Sequence, residues 1–188
     1  KNTNIDAFGI EYNPSSVQIA IKHDVNVVEG TIDTLHKIIK QKSIKHLNNI
    51  FMDDVLEHLV DPSKDLKTIC DLQNKGDRLF LRQMNLDSLG HKIYKDNWYY
   101  IQPAAHMYYF NKESIEKILS KNGYKVIYFY KTNLMINLFL SVLKVIKRII
   151  LSRLLKKPKR WIVNDKLMYL TQRYESFDDM FLVIAEKI

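Results

Sequence analysis

Residues 50–62 run Ile50-Phe51-Met52-Asp53-Asp54-Val55-Leu56-Glu57-His58-Leu59-Val60-Asp61-Pro62. Three apolar residues stop abruptly at two carboxylates. A compact Val-Leu-Glu-His-Leu segment follows, and then Asp61-Pro62. This pattern predicts a buried strand ending at a polar edge, a helical turn, and a helix restart with Asp61 as N-cap and Pro62 at the first helical position. In open α/β sheets, ligands sit just outside the carboxyl ends of strands. Asp53, Asp54, Glu57 and His58 would lie at that edge. The same residues also fit a solvated loop of ordinary surface charge, and spacing alone leaves the two readings level.

The flanking chain supports alternating strands and helices. Ile5 to Glu11 reads as a strand ending in a carboxylate. Asn13-Pro14-Ser15 then opens a helix whose apolar face is Val17, Ile19, Ala20 and Ile21. Val25 to Glu29 is a second strand closed by Gly30, where a plain turn would use glycine for an unusual backbone angle. Leu66, Ile69, Cys70 and Leu72 continue the helix begun at Asp61. Leu79 to Leu81 reads as a buried strand. Residues 88–109 form a long aromatic-rich connection. Lys112 to Leu119 is a helix ended by Gly123, Tyr124 to Tyr130 is a strand, and Met180 to Ile184 is the last strand.

A chain of 188 residues with 46% hydrophobic and 11% aromatic residues can bury one real core, which excludes a disordered chain. One cysteine, Cys70, excludes an intrachain disulfide and fits a reducing compartment, so the expectation is cytoplasmic. Nothing at the start reads as a signal peptide. The net charge of +8 is concentrated in residues 131–164, which hold nine of the 29 basic residues and no acidic one. Any anionic partner should be sought there.

The wording of residues 53–62 resembles the "D-V-L-E-H-L-x-D-P" signature of class I S-adenosylmethionine (SAM) dependent methyltransferases, in the group similar to the ubiquinone-pathway and glycan-associated enzymes. Asn97-Trp98-Tyr99-Tyr100-Ile101-Gln102-Pro103-Ala104-Ala105-His106-Met107-Tyr108-Tyr109-Phe110 is similar to that group's "W-x-x-x-x-P-x-H-x-x-Y-F" segment. Ser114 to Tyr124 resembles its "S-I-x-x-I-L-x-x-x-G-Y". Residues 5–130 carry the resemblance well and residues 131–188 loosely.

The resemblance implies a single α/β domain over residues 1–188 with a Rossmann-like sheet, mostly parallel, and one antiparallel strand near the C-terminus. A basic amphipathic helical insertion, residues 132–164, would precede that strand. The implied cofactor is SAM, with S-adenosylhomocysteine (SAH) as its product. Glu11 would take the ribose diol, since a carboxylate offers two acceptor oxygens, and Tyr12 would pack on the adenosine. Gly30, Thr31 and Ile32 would line the adenine, and Asp53 and Asp54 would complete the cofactor edge. The family's glycine-rich "G-x-G-x-G" loop has no counterpart, because no two of the five glycines lie at that spacing. By the resemblance, the first strand and its loop are missing from these residues. Either the sequence is an N-terminally incomplete copy or the domain has lost SAM binding; the first is preferred, since Glu11 and the 53–58 cluster are present.

The implied activity is O-methylation of a small-molecule or glycan- or lipid-linked acceptor. An oxygen nucleophile needs a base near neutral pH, and His is the side chain best matched to that task. His106 is the preferred base or substrate contact, and His58 its partner. The remaining histidines, His23, His36, His46 and His91, read as surface residues. Asp54-x-x-Glu57-His58 is also similar to the "E-x-x-E-H" that binds a divalent ion in some related methyltransferases. The shorter Asp54 weakens that carry-over, so the expectation is no metal, with Asp54, Glu57 and His58 as the candidates.

Leu134 to Leu155 is helical by pattern, with a narrow polar stripe of Asn137, Ser141, Lys144, Arg148 and Ser152. Its charges interrupt the ~18–20 apolar residues that a membrane span needs. The helix would cover the domain with a solvated stripe, or lie on an anionic membrane face through residues 134–161. It would also suit a homo-oligomer contact. Nucleic acid ranks below these, because the aromatics are not spaced as a stacking platform. The competing functional readings are a non-catalytic binding domain of the same fold and a nucleic-acid methyltransferase.

Overall fold

The structure is a computed structural model and describes residues 6–131 and 179–188. The elements in order are β1 (Gly9–Glu11), α1 (Pro14–Lys22), β2 (Val27–Glu29), α2 (Leu35–Gln41), β3 (Asn49–Asp53), α3 (Pro62–Asp71), β4 (Arg78–Met84), α4 (Leu89–Tyr94), α5 (Lys112–Lys121), β5 (Tyr124–Lys131) and β6 (Met180–Lys187). Short 3-10 turns occupy Ile32–Thr34, Leu56–His58 and Lys95–Asn97. The helix Leu134–Leu155 and the insertion 132–164 lie outside the described residues.

Four strands form a sheet in the order β3-β4-β6-β5. β3 runs parallel to β4, while β6 runs antiparallel to both β4 and β5. Three strands therefore share a direction and β6 alone opposes it, as expected from the resemblance. β1 and β2 form a separate parallel pair, and Ile10 of β1 and the preceding Phe8 pack against the main core.

Strand periodicity decides what β4 buries. Leu79, Leu81 and Gln83 are fully buried on one face and meet Ala185, Val183 and Phe181 of β6 across the ladder. Leu66, Ile69 and Cys70 of α3 and Ile115 and Leu119 of α5 join the same core. On the other face Phe80 stacks on the exposed Phe51 of β3 at 4.5 Å. A second cluster gathers Met84, Trp98 and Met180, with Tyr100 and Tyr109 packed beside them.

Local signals set the helix starts. Asn13 caps α1 through the Ser15 amide, and Asp61 caps α3 through the Lys64 amide at 2.9 Å, with Pro62 in the first turn. The first two strands are shorter than the apolar runs suggest. Asp24 sits at φ 56° and the Val25 amide bonds back to Ala20 at the end of α1, so pairing in β2 starts only at Val27. β5 extends one residue and β6 three residues beyond their expected ends. Among the described residues, no helix is long and apolar enough to cross a membrane.

Candidate active site

The chain turns sharply where β3 ends. Asp54 adopts φ 51°, a left-handed conformation that Asp tolerates better than most residues, and its amide donates to the Arg82 carbonyl at 3.2 Å. The Leu56–His58 turn follows at once. Leu56 is fully buried and pins that turn to the core, which drags the neighbouring Glu57 inward until it is 1% exposed.

Asp53 and Asp54 meet Arg82, which stands opposite Asp53 on β4. The Arg82 Nε bonds Asp53, and its Nη2 lies 3.4 Å from Asp54 Oδ2. The pair that the sequence placed on the cofactor edge is thus engaged by a guanidinium. Arg82 is a site residue that sequence reasoning missed, although its place in the strand after two carboxylates was a signal.

Glu57 organises the centre. Its Oε2 accepts from Gln83 Nε2 at 2.8 Å, and its backbone carbonyl accepts from the amides of Met107, at 2.9 Å, and Tyr108, at 3.3 Å. The 105–108 loop therefore hangs on the 56–58 turn. The loop brings His106 beside His58, with ring centroids 4.9 Å apart in a T-shaped arrangement. His58 Nε2 lies 3.9 Å from Glu57 Oε1.

Both imidazoles are held in the same way. His58 Nδ1 bonds the Ala105 carbonyl and His106 Nδ1 bonds the Tyr100 carbonyl, each at 2.8 Å. A carbonyl only accepts, so Nδ1 is the donating nitrogen in each ring. Each Nε2 is then the ring's acceptor nitrogen. The structure brings the rings of His58 and His106 together, even though 47 residues separate His58 from the Ala105 carbonyl it touches. Gln83 was missed; a lone polar residue at an inward position of an apolar strand was its signal. Among the described residues its side-chain oxygen is buried without a partner, on the amide that bonds the Glu57 carboxylate.

Asp54 does not join Glu57 and His58 in a metal-ligand arrangement. The third member is His106: one ligand atom each from Glu57, His58 and His106 lie within 4.8 Å of one another, the one such group among the described residues. The left-handed turn at Asp54 aims its carboxylate at Arg82 instead.

Glu11 ends β1, half-buried, and one of its oxygens accepts from the Asn13 amide at 2.8 Å. Its second oxygen and the exposed Tyr12 ring beside it suit a ribose diol and a flat base, so these residues fit a nucleoside. Gly30 follows β2 and its amide donates to the Glu11 carbonyl. It is not at a positive φ, so the backbone-angle explanation fails. A Cβ there would lie 2.5 Å from Thr34 Oγ1 and 3.0 Å from Ile38 Cδ1, so close packing demands glycine. Thr31 and Thr34 bond each other through amide, hydroxyl and carbonyl, and Ile32 packs against the core.

The loop that carries His106 is anchored by a buried pair. Trp98 Nε1 donates to Asp179 Oδ1 at 2.8 Å, and both residues are essentially inaccessible. His91, expected on the surface, is half-buried. It tilts against Trp98 at 5.2 Å and bonds the Leu86 carbonyl, because α4 packs onto that loop.

The family model described as the methyltransferase domain matches residues 2–128. No curated protein sequence matches the chain. Solved structures do. A SAM-dependent methyltransferase from Archaeoglobus fulgidus is 20% identical over 97% of this chain and 76% of its own, with a TM-score of 0.54. A Methanosarcina mazei SAM-dependent methyltransferase is 14% identical over 96% of this chain and 81% of its own, with a TM-score of 0.54. The magnesium protoporphyrin IX methyltransferase of Synechocystis, solved with bound SAH, is 14% identical over 96% of this chain and 64% of its own, with a TM-score of 0.55. At these identities the likeness shows the fold.

Proposed function

The chain belongs to the methyltransferase-domain family, and on that footing we propose that it is a SAM-dependent enzyme that methylates an oxygen of a small-molecule acceptor, free or linked to a glycan or lipid. The observation that carries the reading is the pair of imidazoles, His58 and His106, packed against each other in a T-shaped contact beside buried Glu57 just past the carboxyl end of β3. That is where an open α/β sheet places ligands.

Glu11, Tyr12 and the 30–32 turn would hold the nucleoside of the cofactor. When bound, the sulfonium supplies an electrophilic methyl group: a C–O bond forms, the C–S bond breaks with its electron pair on sulfur, and SAH leaves. The chain's own residues have two remaining tasks. The first is alignment, because a methyl transfer needs an in-line approach and gains most from fixed geometry. The Glu57 carbonyl, by bonding Met107 and Tyr108, fixes the acceptor-side loop to the strand end. The second is removal of the acceptor hydroxyl's proton, a task for the Glu57–His58–His106 group.

The test is calorimetric titration of SAH into the full natural chain that carries these residues, with Glu11→Ala alongside. Micromolar binding that the substitution weakens tenfold or more supports the reading. No binding sinks the enzyme and leaves a fold used for another purpose. Acceptor class is then screened by methyl transfer from labelled SAM to phenols, sugars and lipid-linked sugars.

A further inference from the structure

We propose that Glu57, His58 and His106 bind one divalent transition-metal ion of the zinc type, through one carboxylate oxygen and the two Nε2 atoms. The proposal rests on reading this cluster as the acceptor side of the site. Three observations carry it.

The first is the convergence itself. One ligand atom from each residue lies within 4.8 Å of the others. Tetrahedral ligands at about 2.1 Å from zinc stand roughly 3.4 Å apart. The His58–Glu57 separation of 3.9 Å is near that value, and a contact at the 4.8 Å limit of the group would close by about 1.4 Å.

The second is how the imidazoles are held. A metal-ligating His usually donates its other nitrogen to a carbonyl or carboxylate, which fixes the tautomer and the ring. Here both rings do so, through Nδ1, to Ala105 and Tyr100. Glu57 is oriented in the same fashion by Gln83.

The third is an electrostatic deficit. Glu57 is a carboxylate with 1% exposure, and among the described residues its side chain meets only a neutral amide and an imidazole. Buried carboxylates are otherwise paired with cations or bound to metals. Beside it, the Gln83 oxygen is a buried acceptor with no donor among the described residues. An ion with its water or acceptor hydroxyl supplies both a charge and a donor.

The donor set chooses the class of ion. Two imidazole nitrogens and one carboxylate oxygen suit zinc, cobalt or manganese, whereas calcium and magnesium prefer oxygen alone. Three protein ligands also leave a position open, the arrangement of catalytic rather than structural zinc. An ion there would act as a Lewis acid toward the acceptor's hydroxyl and ease loss of its proton to water, so with the ion bound the group promotes that deprotonation through its ligands rather than by taking the proton itself.

The experiment is titration of Zn2+ into the metal-stripped full chain, with Co2+ absorption in the visible as a second readout. Expected are one ion per chain, cobalt bands of a tetrahedral or five-coordinate site, and at least tenfold weaker binding in His106→Gln and in Glu57→Gln. His58→Gln, at an exposed ring, guards against misfolding, since it should keep native circular dichroism and still lose affinity. Sub-stoichiometric binding, or affinity unchanged by H58Q and H106Q, overturns the proposal. SAH titration on the same samples separates the two claims. SAH binding without zinc binding removes the metal alone, and zinc binding without SAH binding removes the methyltransferase reading.

Discussion

Replacing Gly90 by Ala tests how the His106 loop is anchored. A Cβ at that position would lie 2.1 Å from Asp179 Oδ1, 2.9 Å from its Cγ and 3.0 Å from Oδ2, while ordinary contact begins at 3.4 Å. The carboxylate must retreat by more than an ångström. It has little room, because Asp179 is fully buried and stands directly before β6. Retreat also breaks the Trp98 indole bond of 2.8 Å. Overpacking costs about 1–3 kcal/mol, and a hydrogen bond to a charged group is worth about 1.5–3 kcal/mol. Alanine's better helix propensity returns about 1 kcal/mol. The net expectation is a loss of about 2–5 kcal/mol. Urea denaturation followed by tryptophan fluorescence reads it as a lower midpoint at unchanged slope. The same substitution in an Asp179→Ala background meets no carboxylate and should be neutral or slightly stabilising against D179A alone. A loss below about 1 kcal/mol, or an equal loss in both backgrounds, refutes the steric argument.

Gly30→Ala should destabilise by about 1–3 kcal/mol, since its Cβ would press on Thr34 Oγ1 and Ile38 Cδ1; urea midpoints check it. Asp61→Ala removes the cap on the Lys64 amide and should cost about 1 kcal/mol, read from the same curves. Burial pushes the Tyr124 hydroxyl's pKa up, with Cys70 nearby adding to the effect. The folded pKa is raised, so its contribution is present below the unfolded value near ~10 and is lost as pH rises beyond it. Stability should fall more steeply above that pH in the native chain than in Tyr124→Phe, as equilibrium unfolding across pH would show.

Arg82→Gln frees Asp53 and Asp54 from their guanidinium. Being a mostly exposed pair, it should cost at most about 1 kcal/mol in stability. Circular dichroism should be unchanged, and a large loss would show that the ion pair holds the strand end.

The local pattern of residues 50–62 determined the strand end, the turn and the capped restart at Asp61, because caps and periodicity act over a few residues. Residue identities likewise marked Glu57, His58 and His106 as chemistry-bearing. Tertiary structure decided which of them meet. Asp54 stands three residues before Glu57 yet turns to Arg82, since a left-handed backbone at one residue redirects its side chain. His106 reaches His58 from 48 positions away because backbone amides of its own loop bond the Glu57 carbonyl. The same holds for glycine: the sequence suggested a backbone angle at Gly30, whereas Thr34 and Ile38 require the missing Cβ. Short-range energies can be read from neighbours along the chain. Burial, orphaned acceptors and ligand convergence depend on segments that approach only once the sheet is built, and a linear sequence does not contain those distances.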